Sequence, residues 1–156
     1  MSKINQDTLV CLLQEEIGQL ERSVITLEMS MRKCGQIPRK EHYTFEEMES
    51  FDSLTSKFGR TSDLYTKKVL RTVWMLLHEP FVPFIDLLNK AEKMGLIGSA
   101  DQLIDIRDLR NQITHEYIPE AITDLVPEVL ELGELLLQNI RSTHHFIEQR
   151  AWHKSG

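Results

Sequence analysis

At 156 residues the chain has the size of one domain, long enough to close a single core without disulfide or metal staples. With 27% charged and 41% apolar residues its composition is that of a globular protein, and no apolar run approaches the ~18 residues that a membrane span needs. A net charge of −6 argues against a module whose main task is to hold nucleic acid non-specifically, though not against an enzyme that meets one phosphate with one arginine.

Leu, Glu, Lys, Arg, Met and Gln are plentiful, while Gly and Pro are few and sit at expected helix ends, so the fold class expected is all-α. The opening Met1-Ser2-Lys3-Ile4-Asn5-Gln6 lacks the charged-then-apolar pattern of a signal peptide, and a cytoplasmic protein is expected. Cys11 and Cys34 fall on one predicted helix, too far apart to bond to each other, which fits a reducing compartment.

From about Asp7 to Cys34, apolar residues recur at Leu9, Leu13, Ile17, Leu20, Val24, Leu27 and Met31, a single stripe on a long amphipathic helix. Gly35 and Pro38 supply its stop. Gly18 in its interior costs up to ~1 kcal/mol relative to alanine; a close helix crossing would account for it, and so would a neutral substitution. After a loop with Arg39 and Lys40, Thr44 and Glu47 form a capping-box pair and open a second long helix, with Met48, Phe51, Leu54, Phe58, Tyr65, Val69, Val73 and Leu76 on its stripe. This helix runs to Pro80. It carries Lys57, Arg60, Lys67, Lys68 and Arg71, the densest basic segment, for which a solvated face is the simplest reading.

Pro80 and Pro83 bracket a break, and Phe84, Leu87, Leu88 and Ala91 predict a short helix ended by Gly95. Ser99 with Gln102 repeats the capping-box spacing and opens a helix that must end before Pro119. The last helix, from Thr123 or Pro127 to about Gln149, is apolar on more than one side over Leu125 to Leu137, so part of it is expected to be central or at an interface. The chain thus reads as a single domain over residues 1–156, with about 150–156 a mobile tail that includes Trp152. The architecture expected is an up-and-down bundle of four main helices plus a short one. Two helices near thirty residues would project beyond a small core, and their apolar stripes predict a homodimer.

The stretch Arg110-Asn111-Gln112-Ile113-Thr114-His115-Glu116-Tyr117 gathers the groups able to do chemistry. At about 100° per residue, and with Arg110 at zero, Thr114 falls near 40°, Asn111 near 100°, His115 near 140° and Tyr117 near −20°, all on one broad face. Ile106, Leu109 and Ile113 form the apolar stripe opposite, so the polar face must look into a cleft or at a partner. Histidine exchanges protons near neutral pH, and arginine offers a planar fork suited to a phosphate. Asn111 lies four residues before His115, where its amide could orient the imidazole or contact a substrate. These groups suit attack by a ribose 2′-hydroxyl on its own phosphodiester, with no metal and no cofactor required. One helix supplies a single arginine and a single histidine about 140° apart; a symmetric dimer would bring two of each to a composite site. The same residues also fit a purely structural role, with His115 favoured by the helix dipole and an Arg-Asn pair satisfying carbonyls.

Elsewhere, His144, His145 and Glu148 make an incomplete metal set and read as a frayed polar end. His78 is expected to partner a helix C-terminus, and Trp74 to lie in the core. Asp63 and Glu92 either reach the cleft from neighbouring helices or are simply exposed acids.

The pattern Arg110-Asn111-x-x-x-His115-x-Tyr117 resembles the signature of HEPN-domain proteins, and its His-x-Tyr form resembles the toxin branch paired with a minimal nucleotidyltransferase antitoxin. The strings Phe58-Gly59-Arg60-Thr61-Ser62-Asp63-Leu64 and Leu87-Leu88-Asn89-Lys90-Ala91-Glu92-Lys93-Met94-Gly95-Leu96-Ile97 are similar to the same family, so the resemblance covers most of the chain. It implies a metal-independent endoribonuclease toxin acting as a dimer on RNA; neither DNA nor a membrane is expected as a partner. It implies that Arg110 and His115 are catalytic, that Asn111 and Thr114 support them, and that a nucleotidyltransferase transfers AMP to Tyr117. The alternative within the same resemblance is a non-catalytic helical partner of a nucleotidyltransferase.

Overall fold

Asn5 accepts a hydrogen bond from the Asp7 N–H at 3.0 Å and so opens helix α1 (Gln6–Gly35), whose apolar stripe buries Leu13, Leu20 and Leu27. The computed structural model describes residues 5–150 and Trp152, and among the described residues there are helices and no strand. Nothing approaches Gly18 closely enough to touch an added Cβ, so of the two explanations a close helix crossing is absent and a neutral substitution remains. The close approach is at Gly133, where an added Cβ would meet Met31 Cε at 2.9 Å.

The second long helix is one rod with an interruption. Thr44 and Glu47 complete the capping box in both directions and start α2 (Phe45–Asp63). A π-helical turn over Leu64–Val69 follows and runs straight into α3 (Leu70–Leu76). Phe51, Leu54, Phe58, Tyr65, Val69 and Val73 stay buried through all three segments. Full burial of such side chains is worth roughly 1.5–3 kcal/mol each. Between α1 and this rod the core holds two polar pairs: Ser23 and Thr61 hydroxyls lie 2.6 Å apart, and the Thr72 hydroxyl donates to Glu16 Oε1 at 2.5 Å.

Helix α3 ends in a loop that reverses the chain. The His78 N–H donates to the Met75 carbonyl and the Glu79 N–H to the Trp74 carbonyl, with His78 at φ 58°. From sequence His78 is expected to partner the helix C-terminus; what the loop shows is its backbone in the left-handed position of the cap. Trp74 is buried as expected, and its indole N–H donates to the Pro80 carbonyl at 3.0 Å. Helix α4 (Phe84–Lys93) ends in the same pattern at Gly95, whose φ is 81°. Arg71 of α3 and Arg107 of the following helix both approach the Phe84 ring, at 5.9 and 5.6 Å, and tie α4 to its neighbours.

Helix α5 (Ala100–Thr114) carries the motif, and α6 (Pro119–Glu148) fixes where it starts. Ser99 accepts from the Gln102 N–H, but the reciprocal half of the expected capping box is taken over by buried Asn139. Asn139 Oδ1 accepts from the Gly98 and Ser99 N–H groups at 3.0 Å each, and its amide donates to Gln102 Oε1 and the Leu135 carbonyl. Glu92 does not reach the cleft; its carboxylate accepts from the Ala100 N–H. Tyr65 of the π-helical turn is pinned to the same region, with its hydroxyl 2.6 Å from Thr143 while Thr143 donates to the Leu96 carbonyl.

Helix α6 starts at Pro119, ahead of the Thr123 or Pro127 start expected from sequence, because proline at the first helical position lacks only an N–H that would have no partner there. Pro127 lies within the helix on an exposed side. Helix α6 packs on α2, α5 and α1, and α1 packs along the whole α2–α3 rod. Of the tail expected from about residue 150, Arg150 lies over the Phe146 ring at 4.4 Å, and Trp152 is partly buried against the core; the rest falls outside the described residues. No described helix is long and apolar enough to cross a membrane.

Candidate functional site

The apolar stripe of α5 is seated as its periodicity predicts, with Ile106 and Leu109 buried and Ile113 partly so. This turns Arg110 towards α2, where its stem passes Gly59, an added Cβ of which would lie 3.9 Å from Arg110 Cγ. At the end of α2 the guanidinium meets Asp63 edge-on. Arg110 Nε donates to Asp63 Oδ1 at 3.0 Å and Nη2 donates to Oδ2 at 2.6 Å, a two-point fork. The third nitrogen, Nη1, donates to the Thr114 hydroxyl, which itself donates to the Arg110 carbonyl. Lys67 stands one turn beyond Asp63, with Nζ 3.4 Å from Oδ1.

Hydrogen bonding from Arg110 holds the Asp63 carboxyl below its ordinary value of 3.8 even though partial burial opposes this, and Asp63 raises Arg110 in return. Both groups are therefore charged at neutral pH. Their side chains are 30% and 24% exposed, so the pair is neither fully screened by water nor cut off from a ligand.

The pair forms one wall of a groove of about 990 Å³ between α2, the π-helical turn, the end of α5 and the start of α6. Leu64, Ile113 and Ile122 supply apolar surface, Arg60, Lys67 and Lys68 add positive charge, and Asp52 and Glu116 add negative charge. Three of the five basic residues that read from sequence as a solvated face thus line a concavity. A second groove, of about 690 Å³ and lined by the α1–α2 loop and α6, meets the first at Met48 and Thr123.

Arg110, Thr114 and Tyr117 share the first groove; Asn111 and His115 do not line it. Both are exposed. Helix α5 stops at Thr114, and His115 is its C-cap with φ −94° and ψ 1°, its N–H donating to the Asn111 carbonyl. Tyr117 therefore lies in the linker to α6, and its angle on the α5 wheel has no meaning. It reaches the groove because the chain turns there: Glu116 accepts the Ile118 N–H, and Tyr117 is left 86% exposed at the rim. Asp63 is the group whose part was left open by the sequence. It is 47 residues from Arg110, and no periodicity within either helix connects the two.

As an arrangement, the groove offers a fixed guanidinium with lysines around it, and a histidine outside it at the end of the same helix. It can hold an anion without a proton donor or acceptor of its own from His115. No family model matches the chain, and no curated protein or solved structure matches it.

Proposed function

We propose that the chain is a metal-independent endoribonuclease of the HEPN toxin type, working as a homodimer. In this reading the helices form an up-and-down bundle, and the α5 ends of two copies meet at one cleft. His115 takes the proton from a ribose 2′-hydroxyl, the O2′–P bond forms as the P–O5′ bond breaks, and the departing 5′-oxygen takes a proton from solvent. Arg110 stabilises the charge on the phosphoryl oxygens, with Asn111 and Thr114 as supports. The observation that carries the reading is the split placement of the motif. Arg110 lies in a lysine-rimmed groove while His115, at the end of the same helix, is exposed outside it, so one copy alone presents half of the chemistry.

The resemblance supplies the regulation in this reading: a minimal nucleotidyltransferase antitoxin transfers AMP to Tyr117, which lines the same groove as Arg110, and so puts a phosphate near that arginine. The experiment is cleavage of single-stranded RNA with a chelator present. The wild-type chain is expected to cut, and His115→Ala to lose activity while keeping its fold, since an exposed side chain contributes little packing. Cleavage that stops with the chelator, or full activity in His115→Ala, overturns the mechanism.

The net charge of −6 favours a second reading, a non-catalytic helical partner of a nucleotidyltransferase. Growth arrest on expression without the nucleotidyltransferase, lost in His115→Ala, separates the two.

A further inference from the structure

We propose that Asp63 is the positioning residue of the Arg110 site: it occupies the Nε/Nη2 edge of the guanidinium and so presents the Nη1/Nη2 edge to a phosphate in the groove. The inference rests on the ribonuclease reading only for whose phosphate is bound.

A guanidinium carries five N–H donors on two usable forked edges. Asp63 takes one fork at 3.0 and 2.6 Å, and Thr114 takes a donor of Nη1 from within α5. Two donors remain, one on Nη1 and one on Nη2, the two nitrogens of the outer edge. An unheld arginine would sample many rotamers, and a phosphate would have to order it on arrival. Asp63 removes that requirement. It is itself held, because the helical backbone continues past it: the Leu64 N–H donates to the Arg60 and Thr61 carbonyls, and Lys67 contacts Oδ1 from the next turn. With two cations around one carboxylate, the Arg110–Asp63–Lys67 group keeps one net positive charge. Arg60 and Lys68 add two more on the same groove, while Asp52 and Glu116 take two away, so the groove keeps a small positive excess. Asp63 therefore orients the arginine without making the groove neutral.

A salt bridge that merely joined α2 to α5 would have the same distances, so the test needs a readout that stability does not move. Asp63→Asn keeps the shape, removes the charge and turns a donor towards an arginine donor. Cleavage of single-stranded RNA is expected to lose kcat by about 100-fold, because the arginine is no longer held in register. KM, and the affinity for an uncleavable 2′-deoxy oligonucleotide, are expected to stay level or tighten, because the groove gains a net positive charge. A kcat within about threefold of wild type overturns the inference. So does a loss of oligonucleotide binding that parallels a loss of thermal stability.

A second measurement uses the wild-type chain alone. The Arg110 Nε–H resonance, assigned by its disappearance in Arg110→Lys, is expected to exchange slowly with water and to shift on titration with inorganic phosphate. If it exchanges as fast as the exposed arginines, or ignores phosphate, the inference is overturned. If the wild type cuts no RNA while the resonance is protected and phosphate shifts it, the ribonuclease reading fails and the positioning role stands.

Discussion

Tyr117 shows how far a single residue can be argued. It is 86% exposed at the rim of the groove that also holds Arg110, on the linker between α5 and α6, where another protein can reach it. An adenylyl group on its hydroxyl would bring a phosphate into the groove that Arg110 lines and would fill part of that groove. A cognate nucleotidyltransferase with ATP is therefore expected to add the mass of AMP to the peptide containing Tyr117. Tyr117→Phe should remain an active nuclease that escapes neutralisation. Intact-mass spectrometry decides it, since no added mass, or normal neutralisation of Tyr117→Phe, leaves only blocking by complex formation. The residue types of this site were legible in the sequence, because Arg110, Thr114, His115 and Tyr117 stand together in eight residues. Their grouping in space was not. A helical wheel sets directions only while the helix lasts; it ends at Thr114, so Tyr117 is aimed by the linker and by Glu116. Asp63 escaped for a different reason, since a contact between two helices depends on packing that no spacing within either helix encodes.

The helix ends are where local sequence and tertiary structure diverge most. α3 and α4 close with the same pair of backbone hydrogen bonds, but α4 places Gly95 at the left-handed position and α3 places His78 there. A side chain in that conformation costs roughly 1 kcal/mol that glycine does not incur. His78→Gly is expected to raise stability by about 0.5–1 kcal/mol, read as a higher urea midpoint with an unchanged slope. A lower midpoint would mean that the exposed His78 side chain makes a contact worth more than the strain. Periodicity succeeded for the rods themselves: the stripes of α1 and of the α2–α3 run are buried along nearly their whole length. It could not show the π-helical turn at Leu64–Val69, since the same apolar residues lie inward in either kind of turn. Nor could it start α6 correctly, because Pro127 reads as a boundary although a helix can lose one hydrogen bond on its exposed side when its other face is held by packing.

At the scale of the whole molecule, the groove and the exposed end of α5 pose one question, namely what completes the site. Arg110 lines the groove and His115 does not, and the apolar side chains next to His115, Tyr117 and Ile118, are 86% and 58% exposed. A large aromatic and an isoleucine left in water beside a histidine fit a surface that another copy covers. In a symmetric pair each copy gives what it receives, so a shared cleft would contain two arginines and two histidines. Arg110→Ala and His115→Ala chains should each be inactive, because each homodimer lacks one type of group entirely. When the two are mixed and allowed to exchange, the mixed dimer keeps one arginine and one histidine at the cleft. RNA cleavage by the mixture is therefore expected to exceed the sum of the two parents, and sedimentation of the wild-type chain to give the mass of a dimer. Activity equal to that sum, although the mixed dimer has formed, would show that each copy works alone. Sedimentation as a monomer while cleavage continues would remove the shared cleft altogether.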